Sequence, residues 1–133
     1  MYLGDSITEI TCWRALVYDQ IYEAGLADKV TFVGSQTTDT QNCKARNPGF
    51  DLRHEGHSGW RGIDIADNYL VNWLVSSKPD IVNFMLGTND VNAGSSTSQI
   101  VAAYAKIVGE LRDSNANMSI IVSTMLELGS GSL

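Results

Sequence analysis

Tyr2-Leu3-Gly4-Asp5-Ser6-Ile7-Thr8-Glu9 is the stretch from which the fold of this chain can be read. A short apolar start runs into a Gly-Asp-Ser turn, and a helical pattern begins directly after it. This puts Ser6 between a first strand and a first helix, at the carboxyl end of the strand. In open α/β sheets ligands bind at that place. The turn's backbone amides and the helix dipole favour developing negative charge there. Ser6 therefore reads as a candidate nucleophile. The tripeptide reads equally well as a plain turn and helix cap, since Gly, Asp and Ser are common turn residues.

Outward from this stretch, Ile10, Trp13, Val17, Ile21 and Ala24 recur at steps of three and four, a helix stripe that Gly25 would end. Lys29 to Gly34 is rich in β-branched and aromatic residues and predicts a second strand. Residues 35–56 read as a long polar loop with room for a short strand. Gly56-His57-Ser58-Gly59-Trp60-Arg61-Gly62 is a second glycine-rich turn. A helix follows it, with Ile63, Ala66, Leu70 and Trp73 on one face and Lys78-Pro79 at its end. Ile81 to Leu86 predicts a buried strand that runs into the polar turn Gly87-Thr88-Asn89-Asp90. Ser96 and Gln99 have the spacing of a capping box, and Ile100, Val101, Tyr104, Ile107, Val108 and Leu111 continue as an amphipathic helix. Met118 to Ser123 predicts a fourth strand. The order β-α-β-α-β-α-β implies an α/β fold, a three-layer, doubly wound parallel sheet. One domain is expected over residues 1–125, followed by a linker-like tail over residues 126–133.

Composition narrows the function. A chain of 133 residues suits one domain that buries roughly two-thirds of its unfolded surface. A net charge of −6 argues against sequence-independent nucleic-acid binding and against anionic membrane surfaces. No apolar run approaches the roughly 20 residues of a membrane span, and no signal peptide precedes the first strand. Cys12 and Cys43 could form one disulfide, which would imply an oxidising compartment, or could stand as two buried thiols. No Cys-x-x-Cys pair or clustered His/Cys set suggests a metal site.

In a doubly wound sheet the turns after successive strands meet at one edge. Acyl transfer needs a nucleophile and donors aimed at a developing oxyanion. The Ser6 N–H, the Gly59 N–H and the Asn89 side-chain amide would supply three such donors, and a missing Cβ at Gly59 would let the backbone approach a substrate. Asp5, Trp60, Thr88 and Asp90 lie in the same turns and are expected at the substrate. Asp5 and Asp90 also suit a turn or cap, and Trp60 suits either a sugar ring or the core. Arg61 is expected to pair with a nearby carboxylate.

Gly4-Asp5-Ser6-Ile7, Gly59 within His57-Ser58-Gly59-Trp60, and Gly87-Thr88-Asn89-Asp90 resemble three blocks of the SGNH (GDSL-type) hydrolases. The longer runs Gly4 to Arg14, Phe50 to Trp60 and Phe84 to Val91 resemble the fungal acetyl xylan esterases of carbohydrate esterase family three. The resemblance covers about residues 2–122 in order and spacing. It implies a flavodoxin-like SGNH fold, here C-terminally truncated to about four strands. It also implies a secreted serine esterase without a cofactor, which removes acetyl groups from xylan or related sugars or from small esters. Ser6 would be the nucleophile, with Gly59 and Asn89 completing the oxyanion hole.

The family's fourth block, Asp-x-x-His, has no counterpart in this sequence, whose only histidines are His54 and His57. A serine without a base is a weak nucleophile. Four readings are open: a shortened form with weak turnover, His57 or His54 as a substitute base, completion of the site by another copy or fragment, or a module kept for carbohydrate binding or assembly. Loss of a fifth strand would leave Met118 to Ser123 as an open apolar edge, which predicts a homodimer or larger assembly, with exchange of C-terminal segments as one route.

Overall fold

A computed structural model of the chain describes residues 1–125. Ten elements follow one another: β1 Tyr2–Gly4, α1 Ser6–Ile10, α2 Trp13–Glu23, β2 Glu55–Gly56, α3 Gly62–Asn68, α4 Leu70–Ser77, β3 Ile81–Met85, α5 Thr88–Asn92, α6 Thr97–Ser114 and β4 Ser119–Val122. The four strands form one sheet in the order β2-β1-β3-β4, and every pairing is parallel. Chain order reverses between β1 and β3, so the turns after these two strands leave the sheet on opposite sides. Such a switch point opens a crevice at the carboxyl ends of the strands. The tail expected at residues 126–133 lies outside the described residues.

The main core lies on one face. Leu3, Val82, Phe84 and Leu86 from the sheet side meet Ile65, Leu70 and Leu74 of α3 and α4 and Ile107 and Leu111 of α6, all at most 2% exposed. The spacing of Ile100, Ala103, Ile107 and Leu111 puts them on one stripe of α6, which the predicted capping box opens: Ser96 Oγ accepts from Gln99 N at 3.3 Å, and Gln99 Oε1 accepts from Ser96 N at 2.8 Å. On the other face α2 packs Tyr18 near Phe32, which in turn stacks on Tyr2 of β1 at 5.5 Å.

One predicted strand is corrected. Lys29 to Gly34 forms no strand; the partner of β1 on that side is Glu55–Gly56, inside the stretch expected to be loop. Strand propensity reflects a fit to a half-buried pleated surface. Here only Phe32 of the run is buried, while Val30 is 38% exposed. Just past the run, a single antiparallel bridge joins Gln36 to His54. Gly56 owes its place in β2 to close approach, since a Cβ there would lie 2.7 Å from the Glu9 backbone nitrogen. The first two of the three predicted helices are also each divided, at Thr11-Cys12 and at Tyr69.

The stretch 35–56 is held more firmly than its composition suggests. Buried Arg14 of α2 donates to the carbonyls of Thr8 at 2.9 Å, Leu52 at 3.0 Å and Glu9 at 3.3 Å. Buried Asp19, one turn further on, accepts from the backbone amides of Arg46 at 3.1 Å and Asn47 at 2.9 Å. Tyr18 donates to the Pro48 carbonyl at 2.6 Å. Cys12 and Cys43 form a disulfide across 31 residues. A loop of that length predicts about 3–4 kcal/mol of stability from the bridge. Urea unfolding of the C12A/C43A variant should show a loss of that size, and an unchanged midpoint would contradict it.

Candidate active site

Three turns build the site. The first follows β1. Asp5 caps α1 by accepting from the Ile7 amide at 3.0 Å, and Ser6 is the half-buried first residue of that helix. Gly4 must be glycine because a Cβ there would collide with the Thr8 side chain. The second turn runs from His57 to Trp60 and is closed by the Trp60 amide donating to the His57 carbonyl at 3.2 Å. Gly59, its third residue, has φ +81°, the left-handed conformation that a type II turn requires there. A Cβ on Gly59 would meet nothing within 4 Å, so within the described chain the need for glycine is conformational rather than one of close approach. The third turn follows β3 and opens α5 with Gly87, Thr88 and Asn89.

One side chain ties these turns together. Asn89 Nδ2 donates to the Trp60 carbonyl at 2.9 Å and lies 3.5 Å from Asp5 Oδ2. The second turn is fastened to the first in two further places. The His57 amide donates to the Gly4 carbonyl at 2.9 Å, and the Ser58 amide donates to Glu9 Oε2 at 2.6 Å. Ser6, the Gly59 turn and the Asn89 amide therefore share one corner of the sheet.

Several expected site residues have other tasks. Asp5 and Asp90, expected at the substrate, are only 1% and 0% exposed, and their carboxylates are engaged by backbone amides. Asp90 accepts from Gly62 N at 2.7 Å and Ile63 N at 3.1 Å. It thereby caps α3 from α5, a place where Arg61 makes no side-chain cap. Arg61 instead pairs with Asp64 at 2.7 Å. His54 is corrected as a base. It is fully buried, its Nδ1 accepts from Gly56 N at 2.9 Å, and its Nε2 faces the Thr38 carbonyl at 3.1 Å, so both nitrogens are occupied by backbone. His57 directs Nε2 at Glu55 Oε1 at 2.7 Å and is not hydrogen-bonded to Ser6. Its ring stacks on Trp60 at 4.6 Å and on Trp73 at 4.4 Å. Trp60 also packs against Tyr69 at 4.5 Å, so its ring belongs to an aromatic cluster. Thr88 opens α5 and is half-buried.

Sequence reasoning missed Glu55, Glu9 and Arg14. Glu55 is fully buried and accepts from His57, from Ser35 Oγ at 2.6 Å and from Ser35 N at 2.8 Å. Burial raises its pKa, but these hydrogen bonds outweigh that and hold it below the ordinary carboxylate value. Asp5 goes the other way. Burial pushes its carboxyl upward, the charge of Asp90 adds to this, and the Ile7 amide only partly offsets it. Among the described residues no group of three His, Cys, Asp or Glu side chains could hold a metal ion.

A parallel sheet whose first-strand turn carries Ser6, tied through Asn89 to a glycine turn, has the α/β fold of the SGNH hydrolases. The chain belongs to the GDSL-like lipase/acylhydrolase family, whose profile matches residues 2–132. An acetyl esterase mutant solved with an acetate ion is 51% identical, with TM-score 0.88 over 92% of this chain and 59% of its own. A carbohydrate esterase family 3 structure from Talaromyces cellulolyticus is 52% identical, with TM-score 0.88 over 92% of this chain and 59% of its own. A family 3 carbohydrate esterase of Clostridium thermocellum is 28% identical, with TM-score 0.80 over 99% of this chain and 63% of its own. The chain therefore spans about three-fifths of the length of these esterases. Among curated proteins no sequence matches it.

The raised pKa of Asp5 makes a prediction with a definite sign. Its folded value lies above the ordinary 3.8, so the ionised form is disfavoured in the fold. The penalty is absent at low pH and grows as pH rises through the folded value. Asn caps a helix as well as Asp does. The melting temperature of D5N relative to the unsubstituted chain should therefore be more favourable at pH 8 than at pH 4.5, and a pH-independent difference would refute this.

Proposed function

We propose that this chain is a serine esterase acting on short-chain carboxylic esters, with acetylated xylan or another acetylated carbohydrate as its substrate class. The observation that carries the proposal is the Asn89 amide, which lies against both the Asp5-Ser6 turn and the Gly59 turn. In this reading the acyl carbonyl carbon sits against Ser6 Oγ. Its oxygen is received by the Ser6 N–H, the Gly59 N–H and one N–H of Asn89. The 3.5 Å contact from Asn89 to Asp5 is the weaker of its two and is the one given up to the substrate. Attack forms an acyl-enzyme and expels the alcohol, and water then releases the acid. The 51% and 52% identical acetyl and carbohydrate esterases support the acetyl preference.

The proton of Ser6 leaves to a base other than His54, whose nitrogens are both occupied. That same fact favours a second reading, a carbohydrate-binding or assembly module with the cleft but without turnover. Hydrolysis of p-nitrophenyl acetate separates the two. S6A should abolish hydrolysis, and N89A should lower kcat by about 10²–10³-fold, the loss expected for one oxyanion donor. Equal rates for S6A and the unsubstituted chain would remove the esterase reading.

We further propose a secreted homodimer. The disulfide supports an oxidising compartment. Among the described residues the outermost strand is β4, where Ile121 is 51% and Val122 48% exposed, and an open apolar edge favours pairing with a second copy. Light scattering at micromolar concentration should give twice the monomer mass, and a stable monomer would contradict assembly.

A further inference from the structure

We infer that His57, held by Glu55, is a positioning residue that sets the Gly59 and Asn89 oxyanion donors relative to Ser6; the inference rests on the esterase reading. The amide, the carbonyl, the Nε2 and the ring of His57 each make a contact. Its amide donates to the Gly4 carbonyl, two residues before Ser6. Its carbonyl closes the turn on which Gly59 is mounted. Its Nε2 is fixed at 2.7 Å on Oε1 of the fully buried Glu55, an oxygen that also accepts from the Ser35 hydroxyl, while Oε2 accepts from the Ser35 amide. Its ring lies 6° from parallel to Trp73 and stacks on Trp60 at 4.6 Å.

The Trp60 contact makes the arrangement more than local packing. The carbonyl of Trp60 is the 2.9 Å acceptor that orients Asn89. A shift of the His57 ring moves Trp60 and with it the acceptor of the third turn's amide, while a shift of the His57 carbonyl moves Gly59. An oxyanion hole works only if its donors are preorganised around the position the oxygen will take. A buried carboxylate left without its donor is unfavourable, so Glu55 holds His57 in one orientation. The Nδ1 of His57 has no hydrogen bond among the described residues, Ser6 included, which separates a positioning role from that of the base.

Two variants divide the clamp. H57F keeps a ring against both Trp60 and Trp73 but cannot donate to Glu55, whereas H57Q keeps the donor. With p-nitrophenyl acetate, H57F should lower kcat by up to about 10²–10³-fold with KM within about threefold, the signature of lost transition-state stabilisation. H57Q should recover to within about tenfold of the unsubstituted kcat. A readout that needs no turnover runs alongside: exchange of the Asn89 side-chain amide with solvent, followed by NMR, should speed up in H57F and return toward normal in H57Q. S35A strips one donor from Glu55 at the surface and should speed the same exchange to a smaller degree, which keeps the test decisive if H57F does not fold. Unchanged Asn89 exchange in the folded variants would overturn the inference. So would an H57Q as inactive as S6A with normal exchange, which would make His57 the base. Absence of hydrolysis in the unsubstituted chain would defeat the esterase reading alone and leave the exchange arm to judge His57.

Discussion

A carboxylate taken out of water must find donors, and this fold meets that demand at each place where a turn has to be held. Asp5 receives the Ile7 amide, Asp90 the amides of Gly62 and Ile63, Asp19 those of Arg46 and Asn47, and Glu55 the amide and hydroxyl of Ser35 together with His57. All four residues are at most 1% exposed. Each binds backbone that is distant in sequence or sharply bent, so each converts the cost of its own burial into a constraint on a loop. Arg14 does the converse with three carbonyls. Beside Ser6, the carboxylates of Asp5 and Asp90 are buried and hydrogen-bonded to backbone amides.

This arrangement explains why the elements around the site are short. β1 has three residues and β2 two, and α1 and α5 have five each. Helices so short have little stability of their own. Side-chain hydrogen bonds and the close approaches at Gly4 and Gly56 supply what length does not. The eighteen-residue α6 and the central strand β3 carry much of the core.

Much of this was legible in the sequence. The parallel sheet, the capping box at Ser96 and the meeting of the Ser6, Gly59 and Asn89 turns follow from periodicity and from residues with unambiguous local chemistry. What escaped was tertiary. Lys29 to Gly34 has strand composition, but the edge of β1 is taken by Glu55–Gly56, which a two-residue strand in polar surroundings gives no pattern to reveal. The buried charges Arg14, Asp19 and Glu55 look in sequence like solvated helix and loop residues, because nothing local marks a charge whose partners lie 20 to 38 residues away. Asp5 and Asp90 drew notice through their neighbours in the motif, and their burial reassigns them from substrate to backbone.

The register of β1 also bears on how the molecule is made. Leu3 pairs with Glu55 on one side and Phe84 on the other, so the strand that carries the Ser6 turn gains its second neighbour 81 residues later. At synthesis rates of about 5–20 residues per second that interval is roughly 4–16 s. Through it the central strand of the sheet remains incompletely paired while α2, a local structure, can already form. Contacts of such long range slow the search for the native topology. The geometry that brings Ser6 and Asn89 together therefore rests on a pairing that closes only after 81 residues of intervening chain.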